Sequence, residues 1–409
     1  MKRIVITGIG LVSPLGSKVE DFWTQIKEGQ SGIRPLTKLN AEQFSGNSLS
    51  AEVQGEDQIP SNEDLSKYSK SVEYAYKATK QALKDAGFGE KFEHKNRYGL
   101  IVGTTSGNQD MVERTINTYQ ISNEEETLND KASEMLSYFR PVELSTKVAK
   151  LCNIGGTNMV IPTACAAGNY AFGTAYSMIQ NGRTPIVVAG GADPFTRSCY
   201  TIFYRLGAMT KTDLRPFAED RTGMVVGEGA AMLVLEELEH AKKRGATIYA
   251  EVTGYALSCD AYHPTAPDPE GSGATLAMKN ALRNSHLLPK DISYISAHGT
   301  GTRANDSHEA KAMSNVFGDN LSNIPVHGLK SMLGHCMGAA SALEAVSAVL
   351  SIRDQIVPVT INTSEIDQSF PKTLKIAKSI EKKPINHVLS NSFAFGGNIC
   401  SVIFSKYNQ

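Results

Sequence analysis

Two rhythms of apolar residues alternate along this chain. Short continuous apolar runs at residues 4–8, 100–103, 159–162 and 185–190 read as buried strands. Between them the apolar positions fall at helical spacing. Val19, Phe22, Trp23 and Ile26 mark one helix, with Ser17 as its expected N-cap and Gly29 as its stop. Val72, Ala75, Tyr76, Thr79 and Leu83 mark a second, ending at Gly87. A third runs over residues 166–180 and stops at Asn181-Gly182. The alternation predicts an α/β architecture with buried sheets. Residues 108–141 are polar, carry Glu124, Glu125 and Glu126, and read as an excursion from the core.

The second half of the chain repeats the order of the first. Ile6-Thr7-Gly8-Ile9 is echoed by Val252-Thr253-Gly254-Tyr255, and Gln81-Ala82-Leu83 by Asn280-Ala281-Leu282. Laying Thr163-Ala164-Cys165-Ala166-Ala167-Gly168 on Leu333-Gly334-His335-Cys336-Met337-Gly338 aligns the helices that follow, and in that register His335 falls on the place of Cys165. Any two αβ segments share glycines and apolar runs, but the common order of several elements favours a duplication. Two such halves about a pseudo-twofold axis bring equivalent loops together at the centre.

With 409 residues the chain is long for a single core, which agrees with two packed halves. Its 41% apolar and 20% charged residues, at net charge −1, fit a soluble globular protein with no global pull toward nucleic acid or membrane. The six cysteines form no Cys-x-x-Cys pair and are too dispersed for a disulfide framework, so a reducing, cytoplasmic compartment is expected. The N-terminal apolar run is short, carries Gly8 and Gly10, and reads as a strand instead of a signal peptide. No stretch approaches the roughly 18 apolar residues of a membrane span. Gly8-x-Gly10 lacks the third glycine and the later acid of a dinucleotide fingerprint.

Candidate chemistry gathers at the ends of the apolar runs. Cys165 closes one strand and opens a helix, where the helix dipole and unpaired N–H groups favour a thiolate. Its small neighbours Ala164, Ala166, Ala167 and Gly168 leave room for a bulky thioester. A free cysteine can equally be a small buried hydrophobe. His298 stands in Ala297-His298-Gly299-Thr300-Gly301-Thr302 after another strand, and His335 in Lys330-Ser331-Met332-Leu333-Gly334-His335 at an expected helix start. A neutral imidazole there can donate one hydrogen bond to a developing oxyanion. Structural roles remain the ordinary alternative. Metal binding is disfavoured, because no His-x-x-x-His pair occurs. Phe393-Ala394-Phe395-Gly396-Gly397 pairs aromatics with glycines, as in a hinged loop over a pocket or a plain glycine turn.

Thr163-Ala164-Cys165, His298-Gly299-Thr300-Gly301-Thr302, Lys330-Ser331 with Gly334-His335, and Asn391-Ser392-Phe393 with Phe395-Gly396-Gly397 occur in the order of the beta-ketoacyl-ACP synthases. Residues 225–230 and Asp260-Ala261-Tyr262-His263 are similar to that family too. The chain resembles its type II, elongating branch from first strand to last. The resemblance implies a thiolase-like fold: two duplicated βαβαβ halves in a five-layer αβαβα sandwich. The N-terminal half, residues 1–247, would carry the nucleophilic Cys165, and the C-terminal half, residues 248–409, both histidines. It further implies a 3-oxoacyl-ACP synthase performing a decarboxylative Claisen condensation of a Cys165-bound acyl group with malonyl-ACP.

In that scheme Cys165, His298, His335, Lys330 and Phe395 are catalytic, with the Cys165 and Phe395 N–H groups as an oxyanion hole. Lys330 and Glu309 hold the histidines, while Asp306 and Glu344 are structural. Thr300 and Thr302 bind the pantetheine amides; Val112 and Phe203 line the acyl pocket; Phe393 binds substrate; Phe395 is the gate. No tightly bound cofactor and no metal are implied, since acyl carrier protein delivers the phosphopantetheine. The implied assembly is a homodimer, or a heterodimer with a chain-length-factor-like homologue. Ala394, Asn398, Asn305 and residues 166–170 depart from the housekeeping pattern, leaving bulk fatty-acid synthesis and a polyketide or polyene pathway both open. Ala394 in place of the usual glycine is expected to stiffen the gate, and Val112 to widen the acyl pocket. The alternative function is a non-elongating decarboxylase or the partner subunit of a ketosynthase heterodimer.

Overall fold

The computed structural model describes residues 2–55, 64–89, 98–121, 137 and 139–408, with the side chains of 118–121 left aside. Five strands of the N-terminal half are, in chain order, Ile4–Val12, Tyr98–Gly103, Asn158–Ile161, Ile186–Asp193 and Gly229–Glu237. They lie side by side in the order three, two, four, five, one. The C-terminal half provides Ala250–Cys259, Tyr294–Ser296, Val326–His327, His387–Phe393 and Asn398–Ser405, in the same spatial order. The pairings match as well. In each half strand two runs parallel to strands three and four, and strand five is antiparallel to strands four and one. The two first strands join antiparallel, Ile4 opposite Val252 and Ile6 opposite Ala250, giving one ten-stranded sheet with a local twofold between its halves.

The helices take layers set by their patterning. Ala340–Asp354 is buried from Ala340 to Ile352 and carries no polar face, so it fills the centre. Its counterpart Ala167–Gln180 packs against it, with the Asn169 N–H donating to Ser341 Oγ at 3.1 Å. Lys70–Asp85 is amphipathic and covers the outer face of the N-terminal strands. Gly8 and Gly10 are explained here: a Cβ on either would stand 2.2 and 2.0 Å from the carbonyl oxygens of Ala82 and Ala78. The missing side chains let that helix lie on the strand.

Local signals misplaced two details. The first helix, Val19–Lys27, is capped at Lys18 without a side-chain bond, not at Ser17; Glu20 and Asp21 sit at its positive end instead. The repeat register also shifts. Each inner helix is entered through a residue of positive φ, Ala164 (50°) and Met337 (51°), followed by a short 3-10 turn. Geometry therefore pairs Cys165 with Gly338, not with His335, which lies before the turn. Of the polar excursion, Gln109–Ile121 is a helix, while Glu124 to Glu126 fall outside the described residues.

Candidate active site

Cys165, His298 and His335 line one cavity of about 310 Å³, together with Thr300, Thr302, Phe203, Phe393 and Phe395. The sequence-predicted residues thus meet although 170 positions separate Cys165 from His335. Cys165 and His298 follow strands, whereas His335 follows the one-turn helix Lys330–Leu333. Cys165 sits in the turn Ala164–Ala166 after the third strand of the N-terminal half. His298 follows Tyr294–Ser296, and His335 bonds along the backbone to Val225 and Gly227.

The two imidazoles stand edge to face, ring centres 5.5 Å apart. Their tautomers follow from what faces Nδ1. His335 Nδ1 accepts the Met337 N–H at 3.1 Å, and His298 Nδ1 faces the Lys330 ammonium at 3.2 Å. A nitrogen that accepts carries no proton, so both rings carry it on Nε2. Burial, and then the Lys330 charge, hold both histidines well below the usual imidazole range. Both are therefore neutral donors at pH 7.

Lys330 is the hub beneath them. Its Nζ also donates to the His298 carbonyl at 2.6 Å and to Glu344 Oε1 at 2.5 Å, all in a buried setting. Burial raises the Glu344 carboxyl to about 7 against the pull of Lys330. Glu309 accepts the N–H groups of His298 (2.9 Å) and Gly299 (2.8 Å), and Asn391 Nδ2 at 3.3 Å. Burial lifts it also to about 7. Asp306 accepts from the Phe217 N–H (2.7 Å), the Gly301 N–H (3.2 Å) and Asn305 Nδ2 (3.0 Å), shaping the loop that bears Thr300 and Thr302. Those two hydroxyls lie 2.9 Å apart at the mouth, and Thr302 caps the helix Arg303–Phe317.

Cys165 departs from expectation. Burial pushes its thiol up to about 12, and Lys330 only partly offsets this. A helix start contributes ~0.3–2 kcal/mol, at most about one and a half pKa units, which is less than desolvation removes. Burial thus works against the thiolate that the turn favours.

The aromatic-glycine segment folds over this cavity. Phe203 stacks near Phe395 (5.5 Å) and His335 (6.4 Å), and Phe393 lies 5.6 Å from His298. Phe395 opens a 3-10 turn and is 37% exposed. Cys165 lies in a turn start likewise, so both N–H groups belong to positions with no partner inside their turns. Ala394 has φ −141°, extended backbone open to any residue, so its methyl imposes no strain in this state. The positive angles fall on Gly396 (80°) and Gly397 (77°). Val112 is half-buried on Gln109–Ile121 and is not among the residues lining the Cys165 cavity.

Some residues that shape the site were missed. Asp193 ends the strand Ile186–Asp193 and accepts from Thr104 Oγ1 and from the N–H groups of Thr105, Ser106 and Gly338, at 2.6 to 2.8 Å. It joins both halves beside Cys165; its only sequence signal is a lone acid closing an apolar run. The segment His263 to Pro267 forms one wall of the mouth. Among the described residues no group of three or more His, Cys, Asp or Glu is placed to hold a metal, and no helix is long and apolar enough to cross a membrane.

Comparison with known proteins agrees with this geometry. The family description "Beta-ketoacyl synthase, N-terminal domain" matches residues 1–241, and "Beta-ketoacyl synthase, C-terminal domain" matches 249–364. The 3-oxoacyl-[acyl-carrier-protein] synthase 2 of Coxiella burnetii is 37% identical over 99% of both chains, and that of Synechocystis sp. 37% identical over 99% of this chain and 98% of its own. Among solved structures, the ishigamide ketosynthase/chain length factor is similar with TM-score 0.92 at 36% identity, covering 100% of both chains. The type II polyketide ketosynthase AntDE, in complex with the acyl-carrier protein AntF, follows at 0.90 and 31%, again over 100% of both. With its fold and full length accounted for, this chain belongs to the beta-ketoacyl synthase family, and is a condensing acyltransferase of thiolase-like fold.

Proposed function

We propose that this protein is a 3-oxoacyl-[acyl-carrier-protein] synthase that elongates an acyl chain held on Cys165 by condensing it with malonyl carrier protein. The observation that carries this reading is the convergence of a buried thiol and two Nε2–H imidazoles on one cavity. In loading, Cys165 Sγ bonds the acyl carbonyl carbon and the carbon–sulfur bond to pantetheine breaks. The thiol proton ends on the departing pantetheine sulfur. The oxyanion of this step lies between the N–H groups of Cys165 and Phe395. Malonyl thioester then places its carbonyl oxygen against His298 and His335. Loss of CO2 puts negative charge on that oxygen, and donors aimed at developing charge lower the barrier. The freed carbon attacks the acyl carbonyl, and the Cys165 sulfur leaves and takes up one proton. Burial, which raises the thiol, favours that protonated form and so resets the site.

Carrier protein delivers phosphopantetheine, whose amides Thr300 and Thr302 would bind at the mouth. Val112 is assigned to the acyl side and Phe395 to the gate. The residues divide as 1–247 for the nucleophile and 248–409 for the histidines. The setting is the cytoplasm. Incubation with acyl carrier protein thioester, followed by mass spectrometry, tests the reading. An acyl adduct on Cys165 that malonyl carrier protein converts to a chain two carbons longer supports it; a chain that loads nothing yet decarboxylates malonyl thioester refutes elongation.

A second subunit is part of this proposal. Among the described residues the strand Asn158–Ile161 pairs on one side only, with Leu100–Gly103, and leaves Met159 exposed. An unpaired edge is a ready site for strand addition. Similarity to a ketosynthase/chain length factor makes a homologous partner subunit an alternative to a second copy of this chain. Native mass spectrometry of the chain alone separates the two: a stable homodimer favours self-association, a monomer favours the heterodimer.

A further inference from the structure

One buried histidine has no place in the chemistry above. His308 lies on the helix Arg303–Phe317, is 2% exposed, and immediately precedes Glu309. Its Nδ1 is 2.7 Å from the carbonyl oxygen of Asp268. A carbonyl only accepts, so the proton sits on Nδ1 and points at that oxygen. Its ring stands edge to face with Phe393, centres 5.3 Å apart, and Phe393 in turn faces His298. Nε2 has no partner among the described residues.

Asp268 terminates the segment that walls the mouth. The opposite end of that segment is tied to the aromatic-glycine loop. The Asp260 N–H donates to the Gly397 carbonyl at 3.0 Å, and the Gly396 N–H to the Pro264 carbonyl at 2.7 Å. The Asp268 N–H donates to Asp260 Oδ2 at 3.2 Å, closing the segment on itself. The carboxylate of Asp268 accepts the N–H groups of Glu270 and Ser272, and its carbonyl accepts the Gly271 N–H at 2.9 Å. These bonds are local. Among the hydrogen bonds found for Asp268, the one from His308 reaches the separate helix that holds the catalytic loop.

We infer that His308 is a positioning residue: it straps the mouth segment, residues 260–268, to the helix and strand that carry Glu309 and Phe393. The mouth segment and the aromatic-glycine loop then share a fixed anchor behind the histidine pair. The donor on Nδ1 sets where the segment stops, and the ring contact ties that stop to Phe393. The inference rests on reading this cavity as the substrate entrance, so its test includes a measurement that does not depend on turnover.

Two variants separate the donor from the ring. His308→Phe keeps an aromatic against Phe393 and loses the donor. His308→Asn offers an N–H at a similar reach and loses the ring. In the full-length protein, hydrogen exchange of residues 264–272 and the rate of Cys165 alkylation by iodoacetamide are followed for each. Losing one buried hydrogen bond shifts a local opening equilibrium by roughly tenfold. His308→Phe is therefore expected to speed exchange in 264–272 and alkylation of Cys165 about tenfold, and to change kcat more than KM for the carrier substrate. His308→Asn is expected to restore most of the protection. Parent-like exchange and alkylation in His308→Phe, or an Asn variant no better than the Phe variant, would overturn the strap even if the enzyme condenses normally. Should the Phe variant not fold, the Asn variant decides alone: protection kept upholds the inference, protection lost overturns it. Failure of elongation with the exchange pattern as expected would instead count against the substrate reading.

Discussion

Lys330 is the most informative residue to remove, because stability and catalysis respond to it differently. Lys330→Met deletes three hydrogen bonds, to His298 Nδ1, the His298 carbonyl and Glu344 Oε1. Glu344 is then left buried without its cation, and breaking one side of a buried pair costs about 3–5 kcal/mol. The sign with pH follows. Burial already raises Glu344 from its ordinary 4.5 to about 7 with Lys330 present, and without it the value climbs further. Between 4.5 and that folded value the native state binds the extra proton, so stability falls as pH rises through this window. The variant's deficit in Tm should be small near pH 5 and large near pH 8. At His298 the charge-assisted bond to Nδ1 contributes ~1.5–3 kcal/mol toward the Nε2–H tautomer. Its loss frees both tautomer and ring, and the ceiling on the rate is the roughly 100- to 1000-fold that one oxyanion donor supplies. Malonyl carrier decarboxylation should drop at least about tenfold. Removing the Lys330 charge also raises the histidine pKa values, moving the acid limb of the pH profile upward. The double variant Lys330→Met/Glu344→Gln should recover Tm at pH 8 without recovering decarboxylation. Parent-level decarboxylation in the single variant, or activity regained in the double, would refute the hub assignment.

Cys165→Ala should abolish the acyl adduct and condensation while shifting stability by no more than about 1 kcal/mol, since one small buried group is removed; thermal melts and adduct mass spectra check both. His298→Ala and His335→Ala should each spare acyl loading far more than malonyl decarboxylation, and the reverse order in single-turnover assays would exchange the assigned roles. Gly397→Ala places a Cβ 3.2 Å from the Asp260 N–H at φ 77°, so about 1–2 kcal/mol of strain should slow turnover several-fold. Ala394→Gly, at an extended φ, should leave the closed state unchanged and alter only the opening step, seen as a change in kcat without a change in Tm beyond about 1 kcal/mol.

Much of this molecule was legible in one dimension. Buried strands and helix faces are written in residue spacing, because each element repeats every two or 3.6 residues. The duplicated halves, the strand-to-helix turn at Cys165 and the glycine-flanked histidines follow from those periods and from short motifs. The register between the halves did not, because Gly334 and Gly338 look alike as letters, and only the positive φ of Met337 fixes which position matches Cys165. The tautomer of His335 is set by a backbone N–H, which every residue except proline carries, so no side-chain letter announces it. The opposing effect of burial on the Cys165 thiol was hidden for a related reason. A helix start is local and visible in the sequence, whereas desolvation is the sum of everything that folds around the sulfur, here drawn from both halves. Sequence alone singled out the candidate groups that the fold gathers on one cavity. Only the tertiary structure decided their protonation and their donors, because both depend on solvent exclusion and on partners brought from distant segments.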